Sequence, residues 1–399
     1  MTSVNTNRAF TNLAAALLLC SAASAQTANS QTINIGAITS LTGRFATFGK
    51  MQKAGFQVAI DEINAAGGLD GQKVKLLLED DASDTNKALA AAEKLLNQKV
   101  PLIIGSYSSG ITKPLSQYMA RQNVPLLVAT AVDETITKPG NAYTFRVNNQ
   151  SSVYAQSLLT FVKNQNAQTP GSIKSVAVLT SNDAFGKSVY TDLTTLFAKA
   201  GLQVVAKDTY DQGLTDFRPI LNRYKALAPD AVMIASYEQD AVAVAKQIKE
   251  VGLKPKFLAG IATGFALPNF LTGAGSAADN MLVAMVWNAD VTYPGAKNLE
   301  TRLKKALGGE APSQHAAQSY AAMLAAAEAI KVGGNDPEKV REALTKVNLK
   351  TAFGPVNFRD YGGYQNQNAV VGLVTQVQAG QFVTVAPASA AKGKLVEPK

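Results

Sequence analysis

The sequence predicts an α/β fold with two domains. Strand-like and helix-like segments alternate along the chain, and a second set of such units begins near Ser175. Two early strands, Val100–Gly105 and Val124–Ala129, are continuous apolar runs, as expected for parallel strands buried on both faces. The chain has 399 residues, which is long enough for two domains with separate cores.

The first set of units opens with a strand and a long helix. One buried helix face is predicted by apolar or small residues at four-residue spacing, namely Met51, Gly55, Ala59 and Ile63. Gly67-Gly68 is expected to end this helix. The predicted strands of the set are Ile33–Ile38, Val74–Glu79, Val100–Gly105 and Val124–Ala129, with helices at Lys87–Asn97 and Ile111–Gln122.

The second set repeats the pattern and then changes character. Its predicted strands are Ser175–Leu179, Leu202–Ala206, Ala231–Ala235 and Phe257–Ile261. Helices follow Trp287, including the Ala-rich Gln314–Val332, and strands return at Phe353–Phe358 and Val370–Thr384 around the turn-rich Tyr361–Asn368. This late return indicates that the chain crosses between domains more than once. The tail over 387–399 is expected to be disordered.

The N-terminus is typical of a secretory signal peptide over residues 1–25. Arg8 precedes the short apolar run Leu13–Cys20, and Ala23-Ser24-Ala25 offers a cleavage site. The run is too short to span a membrane. A lipoprotein is the alternative, although Leu19 stands where lipid attachment before Cys20 favours a small residue. We therefore expect export to the periplasm, and a processed chain without cysteine.

Composition argues against an enzyme, a metalloprotein or a nucleic-acid binder. The net charge is +9, but Lys and Arg are scattered singly, which is typical of a solvated surface. The chain has one histidine, so no metal, cofactor or catalytic residue is expected; His315 is interpreted as a surface or helix-start residue. Ser181–Ser188 lacks the first glycine of a phosphate-binding loop. A secreted α/β hydrolase remains the alternative from another class, although no G-x-S-x-G motif supports it.

Binding chemistry remains at two consecutive strand ends. Tyr107-Ser108-Ser109-Gly110 lies between a strand and a helix, where hydroxyls and free backbone N–H groups favour a carboxylate. Thr130 occupies the same place one unit later. Ligands of open α/β sheets bind at the carboxyl ends of the strands, so Ser109 and Thr130 are expected to converge on one carboxylate.

With these segments the chain resembles the periplasmic binding proteins of branched-chain amino-acid and amide ABC transporters, of the leucine/isoleucine/valine type. The resemblance spans about Ile33 to Val385 and depends on four motifs: Gly36–Gly43, Ile60–Leu69, Asp80–Asp84 and Phe353–Phe358. It implies two doubly wound lobes joined by three crossing segments near Val147, Val286 and Pro355. The first lobe would comprise 32–146 and 287–354, and the second 147–286 and 355–386.

The resemblance also implies a function and a site. A monomeric protein would capture a small amino-acid-like ligand between its lobes and deliver it to a membrane permease, or signal to a receptor on the same scaffold. The carboxylate-binding serine of the family falls on Ser109, and the neighbouring strand end on Thr130 to Val132. The tyrosine that closes from the second lobe falls on Tyr237, and the aromatic lining on Phe48 and Phe185.

The sequence departs from the family pattern at two positions. Val132 stands where the family often has a threonine, and valine offers no side-chain hydrogen bond. The stretch Gly260–Gly264 lacks the acid that pairs with a ligand ammonium. Glu238 or Asp240 would have to replace that acid, because a buried ammonium without a carboxylate is costly. Otherwise the ligand is an aromatic acid, another carboxylate or an amide.

Overall fold

A computed structural model of the chain describes Met1 and residues 32–396. Except for Met1, the signal peptide predicted over residues 1–25 lies outside the described residues. Residues 397–399, the end of the predicted tail, also lie outside them.

The described chain alternates strands and helices nearly as the sequence predicts. The strands are β1 (Ile33–Thr39), β2 (Val74–Asp80), β3 (Ile103–Ile104), β4 (Leu126–Val128), β5 (Thr144–Arg146), β6 (Ser175–Ser181), β7 (Gln203–Tyr210), β8 (Ala231–Ala235), β9 (Phe257–Ile261), β10 (Leu282–Met285), β11 (Asn348–Thr351), β12 (Gly354–Tyr361), β13 (Tyr364–Asn368), β14 (Leu373–Gln378) and β15 (Gln381–Ala386). The helices are α1 (Ala46–Ala65), α2 (Thr85–Asn97), α3 (Ser109–Arg121), α4 (Ser151–Gln168), α5 (Ala184–Lys199), α6 (Arg218–Leu227), α7 (Glu238–Val251), α8 (Pro268–Ala274), α9 (Ala296–Ala306), α10 (Gln314–Gly333) and α11 (Pro337–Leu344).

The first lobe is built on a sheet with a parallel centre. Among the described residues it has eight strands in the order β11-β12-β13-β5-β4-β3-β1-β2. β1 pairs with β2 on one side and β3 on the other, so the chain winds outward in both directions. β3 and β4 are parallel neighbours, with Ile104 opposite Leu127. Their carboxyl ends therefore lie side by side, which brings the loops after them together.

The second lobe repeats this arrangement. Its sheet has seven strands within the described chain, in the order β15-β14-β10-β9-β8-β6-β7. The strands β6 to β10 are parallel, and β14 and β15 add an antiparallel edge. The loops after β6, β8 and β9 leave the sheet at its carboxyl edge, which is the edge that faces the first lobe. Two lobes with parallel-dominated sheets confirm the predicted fold class.

The third crossing between the lobes lies later than the sequence predicted. In the described chain the lobes are connected by residues 147–150, 286–295 and 369–372. The boundary predicted near Pro355 is wrong, because β12 and β13 form a hairpin that joins the first sheet through β5. Within this hairpin Phe358 packs edge-on against Phe145, with ring centroids 5.4 Å apart. The first lobe therefore extends to Asn368.

The predicted disorder of the tail is also wrong for residues 387–396. The Gln376 side chain donates to the carbonyl of Val396 and accepts from its N–H, each at 2.8 Å. The backbone N–H of Lys392 donates to the carbonyl of Thr384 at 2.8 Å. The side-chain amide of Gln376 in β14 thus holds the tail in place. The small and charged residues of the tail gave no sign of this contact in the sequence.

Close packing of α1 against α10 positions one end of each helix. A Cβ atom added at Gly55 would lie 2.1 Å from the carbonyl oxygen of Ala316, so only glycine permits this approach. The contact sets the start of α10 beside the start of α1, which carries Phe48. None of the described helices is long and apolar enough to cross a membrane.

Candidate ligand-binding site

Ser109 lies where the carboxyl ends of β3 and β4 meet. Ser108 caps α3 by accepting from the N–H of Ile111 at 3.3 Å, which places Ser109 in the first turn. The Ser109 hydroxyl oxygen accepts from the N–H groups of Val132 and Asp133, at 3.3 and 3.2 Å. The loops after β3 and β4 are thereby joined into one surface that offers hydroxyl and backbone N–H groups.

Thr130 forms the buried base of this surface. Its hydroxyl donates to the carbonyl of Tyr107 at 3.2 Å and accepts from the Gln52 side-chain amide at 3.2 Å. Val132 follows as an apolar side chain that is 6% exposed. Val132 therefore adds no hydroxyl to this surface, whose polar groups come from its neighbours, among them Ser109 and Thr130.

Aromatic rings from both lobes face each other across this surface. In the first lobe Phe48 stacks on Tyr107, with centroids 4.2 Å apart and an interplanar angle of 11°. From the second lobe, Tyr237 contacts Phe185 of its own lobe at 5.6 Å and Phe45 of the first lobe at 4.9 Å. These contacts close the two lobes on one another.

The cavity between these walls is small, because the space open to the centre of a water-sized sphere is about 20 Å³. It is lined by Tyr107, Ser108, Ser109, Thr130, Ala131, Val132, Tyr154, Phe185, Tyr237, Thr263 and His315. The structure thus brings together six of the predicted site residues: Tyr107, Ser109, Thr130, Val132, Phe185 and Tyr237. Phe48 lies behind Tyr107 and supports the wall from outside the lining.

The polarity of the cavity comes from helix ends. Four helices begin at its wall, with Ser109 at the start of α3, Phe185 of α5, Tyr237 of α7 and His315 of α10. Within the described chain, no Asp, Glu, Lys or Arg side chain lines it. Helix N-termini carry partial positive charge, so the cavity favours an anion and disfavours a cation.

Tyr237 is held in place by an acid that the sequence did not single out for the site. Its hydroxyl donates to Asp183 at 2.8 Å, and burial raises the pKa of Tyr237 well above 10. The second carboxylate oxygen of Asp183 accepts from the N–H of Gly186 and the hydroxyl of Ser181, at 2.8 and 3.1 Å. Gln212 also donates to Asp183. The Asp183 carboxylate is therefore engaged within the second lobe.

The structure does not bring Glu238 into the cavity. Its carboxylate accepts from the Asn269 side chain at 2.9 Å and lines the neighbouring cleft beside Arg44. Asp240, the other acid considered, accepts from the Tyr210 hydroxyl at 3.2 Å, and burial raises the pKa of Asp240. Neither acid is placed to pair with a ligand ammonium, because the first turn of α7 directs both away from the lining.

His315 is the lining residue that sequence reasoning missed. It begins a helix, as expected, but the residue is 4% exposed and so does not lie on the surface. Burial lowers the pKa of His315 to about 3, so the ring is neutral. A signal existed in the sequence: the first half of α10 is rich in alanine, which is typical of a buried segment, and polar residues in its first turn then face a polar interior.

A strained turn brings Thr263 to the opposite wall. Ala262 and Thr263 follow β9 with φ angles of 41° and 43°, which is uncommon for residues other than glycine. Gly264 makes room for this turn, because a Cβ there would lie 2.3 Å from the backbone carbonyl carbon of Tyr237. The turn occupies the stretch in which the expected acid is absent. It supplies a hydroxyl, and no charge, to the cavity.

The described residues contain no group of three or more His, Cys, Asp or Glu side chains arranged to hold a metal ion. The acids at 80–84 instead organise loops. Asp84 caps α2 by accepting from the N–H of Lys87 at 2.9 Å. Asp80 accepts from the N–H of Leu41 at 2.8 Å, which ties the loop after β1 to the end of β2. The interpretation of these acids as caps rather than a calcium site agrees with these bonds.

Comparison with known proteins identifies the family. Residues 32–381 match the model of the periplasmic binding protein family. The Leu/Ile/Val-binding protein homolog 7 of Brucella suis biovar 1 (strain 1330) is 30% identical over 97% of this chain and 98% of its own. The branched-chain amino acid transporter substrate-binding protein LivJ of Streptococcus pneumoniae, solved with isoleucine, has a TM-score of 0.79 and 25% identity over 92% of this chain and 100% of its own.

A second solved structure supports the fold alone. The leucine-binding protein LivK of Thermotoga maritima MSB8 has a TM-score of 0.79 and 22% identity, over 89% of this chain and 98% of its own. The family model and the Brucella relative each span most of the described lobes. The chain therefore belongs to the periplasmic binding protein family, whose members are solute-binding proteins.

Proposed function

We propose that the protein captures a small carboxylate without an ammonium group between its lobes and delivers it to the permease of an ABC transporter. The observation that carries the proposal is the interlobe cavity, where four helix N-termini meet and no charged side chain of the described chain lines the wall. Such a cavity stabilises one negative charge and gives a positive charge no partner.

Capture begins on the first lobe. The carboxylate binds at the start of α3, where the Ser109 oxygen accepts from the N–H groups of Val132 and Asp133 and its hydroxyl proton is left to donate to the ligand. The body of the ligand then lies against Tyr107, which Phe48 supports from behind. The aromatic side chains of the lining, Tyr107, Phe185 and Tyr237, suit a ring or a short branched chain.

Closure of the second lobe completes capture. Tyr237 and Phe185 cover the ligand, and Tyr237 meets Phe45 across the cleft. The ligand stabilises the closed form only by its stronger binding to that form than to the open one. A permease that recognises the closed form then accepts only loaded protein.

Aliphatic amino acids are the second candidate class, and the names of the relatives favour them. The Brucella relative is named for Leu, Ile and Val, and LivJ was solved with isoleucine. In this chain an amino acid would place its ammonium in a cavity whose described lining offers no carboxylate. The desolvation cost of an unpaired buried charge is several kcal/mol, which favours the ammonium-free class.

Ligand-dependent thermal unfolding of the refolded, ligand-free protein tests this proposal. The panel contains aliphatic and aromatic amino acids, their deaminated acids, short amides and urea. A ligand at about a hundred times its dissociation constant adds roughly 2.7 kcal/mol of stability. A shift with acids alone supports the proposal, and a shift with amino acids alone overturns the ammonium-free class. No shift with any compound would overturn the carboxylate function itself.

Processing and catalysis are tested separately. We expect the mature protein to be a periplasmic monomer that begins at Gln26 and turns over no ester or amide. N-terminal sequencing and light scattering of protein released from the periplasm check processing and mass. Hydrolysis that disappears in His315→Ala would favour a hydrolase instead.

A further inference from the structure

The His315 side chain presents one ring nitrogen to the cavity. Its Nδ1 lies 3.2 Å from the Ser313 hydroxyl oxygen, whereas no described residue forms a hydrogen bond with Nε2. Nε2 is not sealed within protein either, since it is absent from the fully enclosed atoms that lack partners. The ring lines the cavity, so Nε2 is open to a ligand.

Packing fixes the direction of this ring. Phe48 and Tyr107 meet it edge-on, with centroids 5.3 and 5.6 Å away. Ser313 holds the Nδ1 side at the start of α10. A ring held on three sides is preorganised, so a ligand loses little free energy in ordering it.

The imidazole acts as a neutral group. Burial lowers the pKa of His315 to about 3. The partial positive charge at the N-terminus of α10 also disfavours a protonated imidazole. A neutral imidazole has one donor and one acceptor nitrogen, and the Ser313 hydroxyl can serve either. Nε2 therefore needs a partner that can donate or accept, and a hydroxyl group does both.

We propose that His315 is a specificity-determining contact that recognises a hydroxyl group on the ligand through Nε2. This inference rests on the proposed carboxylate function and narrows it to hydroxylated carboxylates with a ring or a short apolar body. Ser109 holds the carboxylate, and His315 distinguishes ligands by the second polar group. A ligand without the hydroxyl excludes water from Nε2 but offers it no partner. The unpaired nitrogen costs free energy, so such a ligand binds more weakly.

Matched pairs of acids test the proposal by calorimetry. The probes are benzoate with its 3- and 4-hydroxy derivatives, and phenylacetate with its 4-hydroxy derivative. We expect at least one hydroxylated member to bind about tenfold or more tightly than its parent. His315→Leu should abolish that preference, and His315→Gln should retain part of it through the side-chain amide. Glu328→Gln, on an exposed face of the same helix, is the control and should change neither affinity.

A measurement on the unaltered chain covers the case in which His315→Leu does not fold. His315 is the only histidine in the sequence. In tag-free protein, the imidazole nitrogen signals of a ¹⁵N spectrum therefore belong to it alone. The Nε2 signal should move with a hydroxylated acid and stay in place with its parent. Equal binding of both members of every pair, or equal movement of Nε2, would overturn the role of His315 and leave the carboxylate function standing. Failure of every acid to bind would overturn both.

Discussion

The two walls of the cavity are held in different ways. On the first-lobe wall, the hydroxyls of Ser109 and Thr130 are bonded to backbone groups of neighbouring βα units. On the second-lobe wall, Tyr237 is tied to Asp183 by its hydroxyl and packs on Phe45 of the opposite lobe. Polar recognition is thus built on a fixed surface, whereas the aromatic cover is completed only where the lobes meet.

The largest expected effect is on the fixed wall. Ser109→Ala should weaken binding by on the order of 1–3 kcal/mol, because the carboxylate and two backbone N–H groups lose a shared partner. Calorimetry with the best ligand of the thermal panel measures the change. Ser116→Ala is the matched control, since the Ser116 hydroxyl lies on the same helix and donates to the Lys113 carbonyl instead. Equal affinity of Ser109→Ala and the control would move the carboxylate site elsewhere.

A change to the aromatic cover should act on release. Tyr237→Ala removes the ring contacts with Phe45 and Phe185 and should speed dissociation about tenfold, with a smaller change in association. Tyr237→Phe keeps the rings and loses only the bond to Asp183, so its release rate should lie closer to that of the unaltered protein. Stopped-flow displacement measures both rates. An unchanged off-rate in Tyr237→Ala would remove Tyr237 from the cover.

A smaller effect is expected from pH, because carboxyl groups of opposite lobes meet at the seam. The Ser151 hydroxyl lies 2.5 Å from Asp192 and 3.2 Å from Glu134. Burial, with the charges of Glu134 and Asp133 nearby, raises the pKa of Asp192 to about 7. Arg146 lies behind Asp133 and donates to its backbone carbonyl at 2.8 Å.

The sign of the pH effect follows from the raised pKa. The closed protein holds a proton on Asp192 that an exposed aspartic acid releases near pH 3.8, so closure takes up a proton between about pH 4 and 7. Affinity and stability should therefore fall as the pH rises through this window. We expect a lower affinity at pH 7.5 than at pH 5.5. Asp192→Asn should flatten the profile, and an equally steep profile in that variant would exclude Asp192 as its cause.

The smallest effect is expected at Glu238. Its carboxylate is bonded to Asn269 outside the cavity, so Glu238→Gln should change affinity by less than about 0.5 kcal/mol. Calorimetry with an acid and with an amino acid checks this. A large loss for the amino acid alone would mean that Glu238 turns inward to pair with an ammonium.

Regular hydrophobic patterns predicted most of the fold, and the failures share one cause. β13 was interpreted as a turn because its sequence, Tyr364–Asn368, is polar. Its buried amides replace apolar contacts, since Gln367 accepts from Arg146 at 2.6 Å and Asn368 donates to the Val147 carbonyl at 2.9 Å. Hydrophobic periodicity carries no information about such bonds. The third crossing, which the family resemblance placed near Pro355, lies after this strand instead.

In the site, too, some residues could be predicted from the sequence and others could not. Positions at strand ends, such as Ser109 and Thr130, followed from topology, because parallel strands place their carboxyl ends together. His315 and Asp183 did not, since each depends on which distant helix or loop packs beside it. Proximity in sequence to Tyr237 was a poor guide for Glu238, because successive residues at a helix start point in different directions.

The buried Arg146 has a consequence for how the family varies. Its guanidinium is held by the Gln367 and Thr137 side chains, both at 2.6 Å, and by a backbone carbonyl, without a directly bonded carboxylate. Replacing Arg146 alone would leave the Gln367 oxygen with Thr137 as its remaining donor, and replacing Gln367 alone would leave the buried Nε of Arg146 without its acceptor, so each single change should cost more than the pair together. Among related chains these two positions should therefore co-vary, and an arginine at 146 should be accompanied by an acceptor at 367.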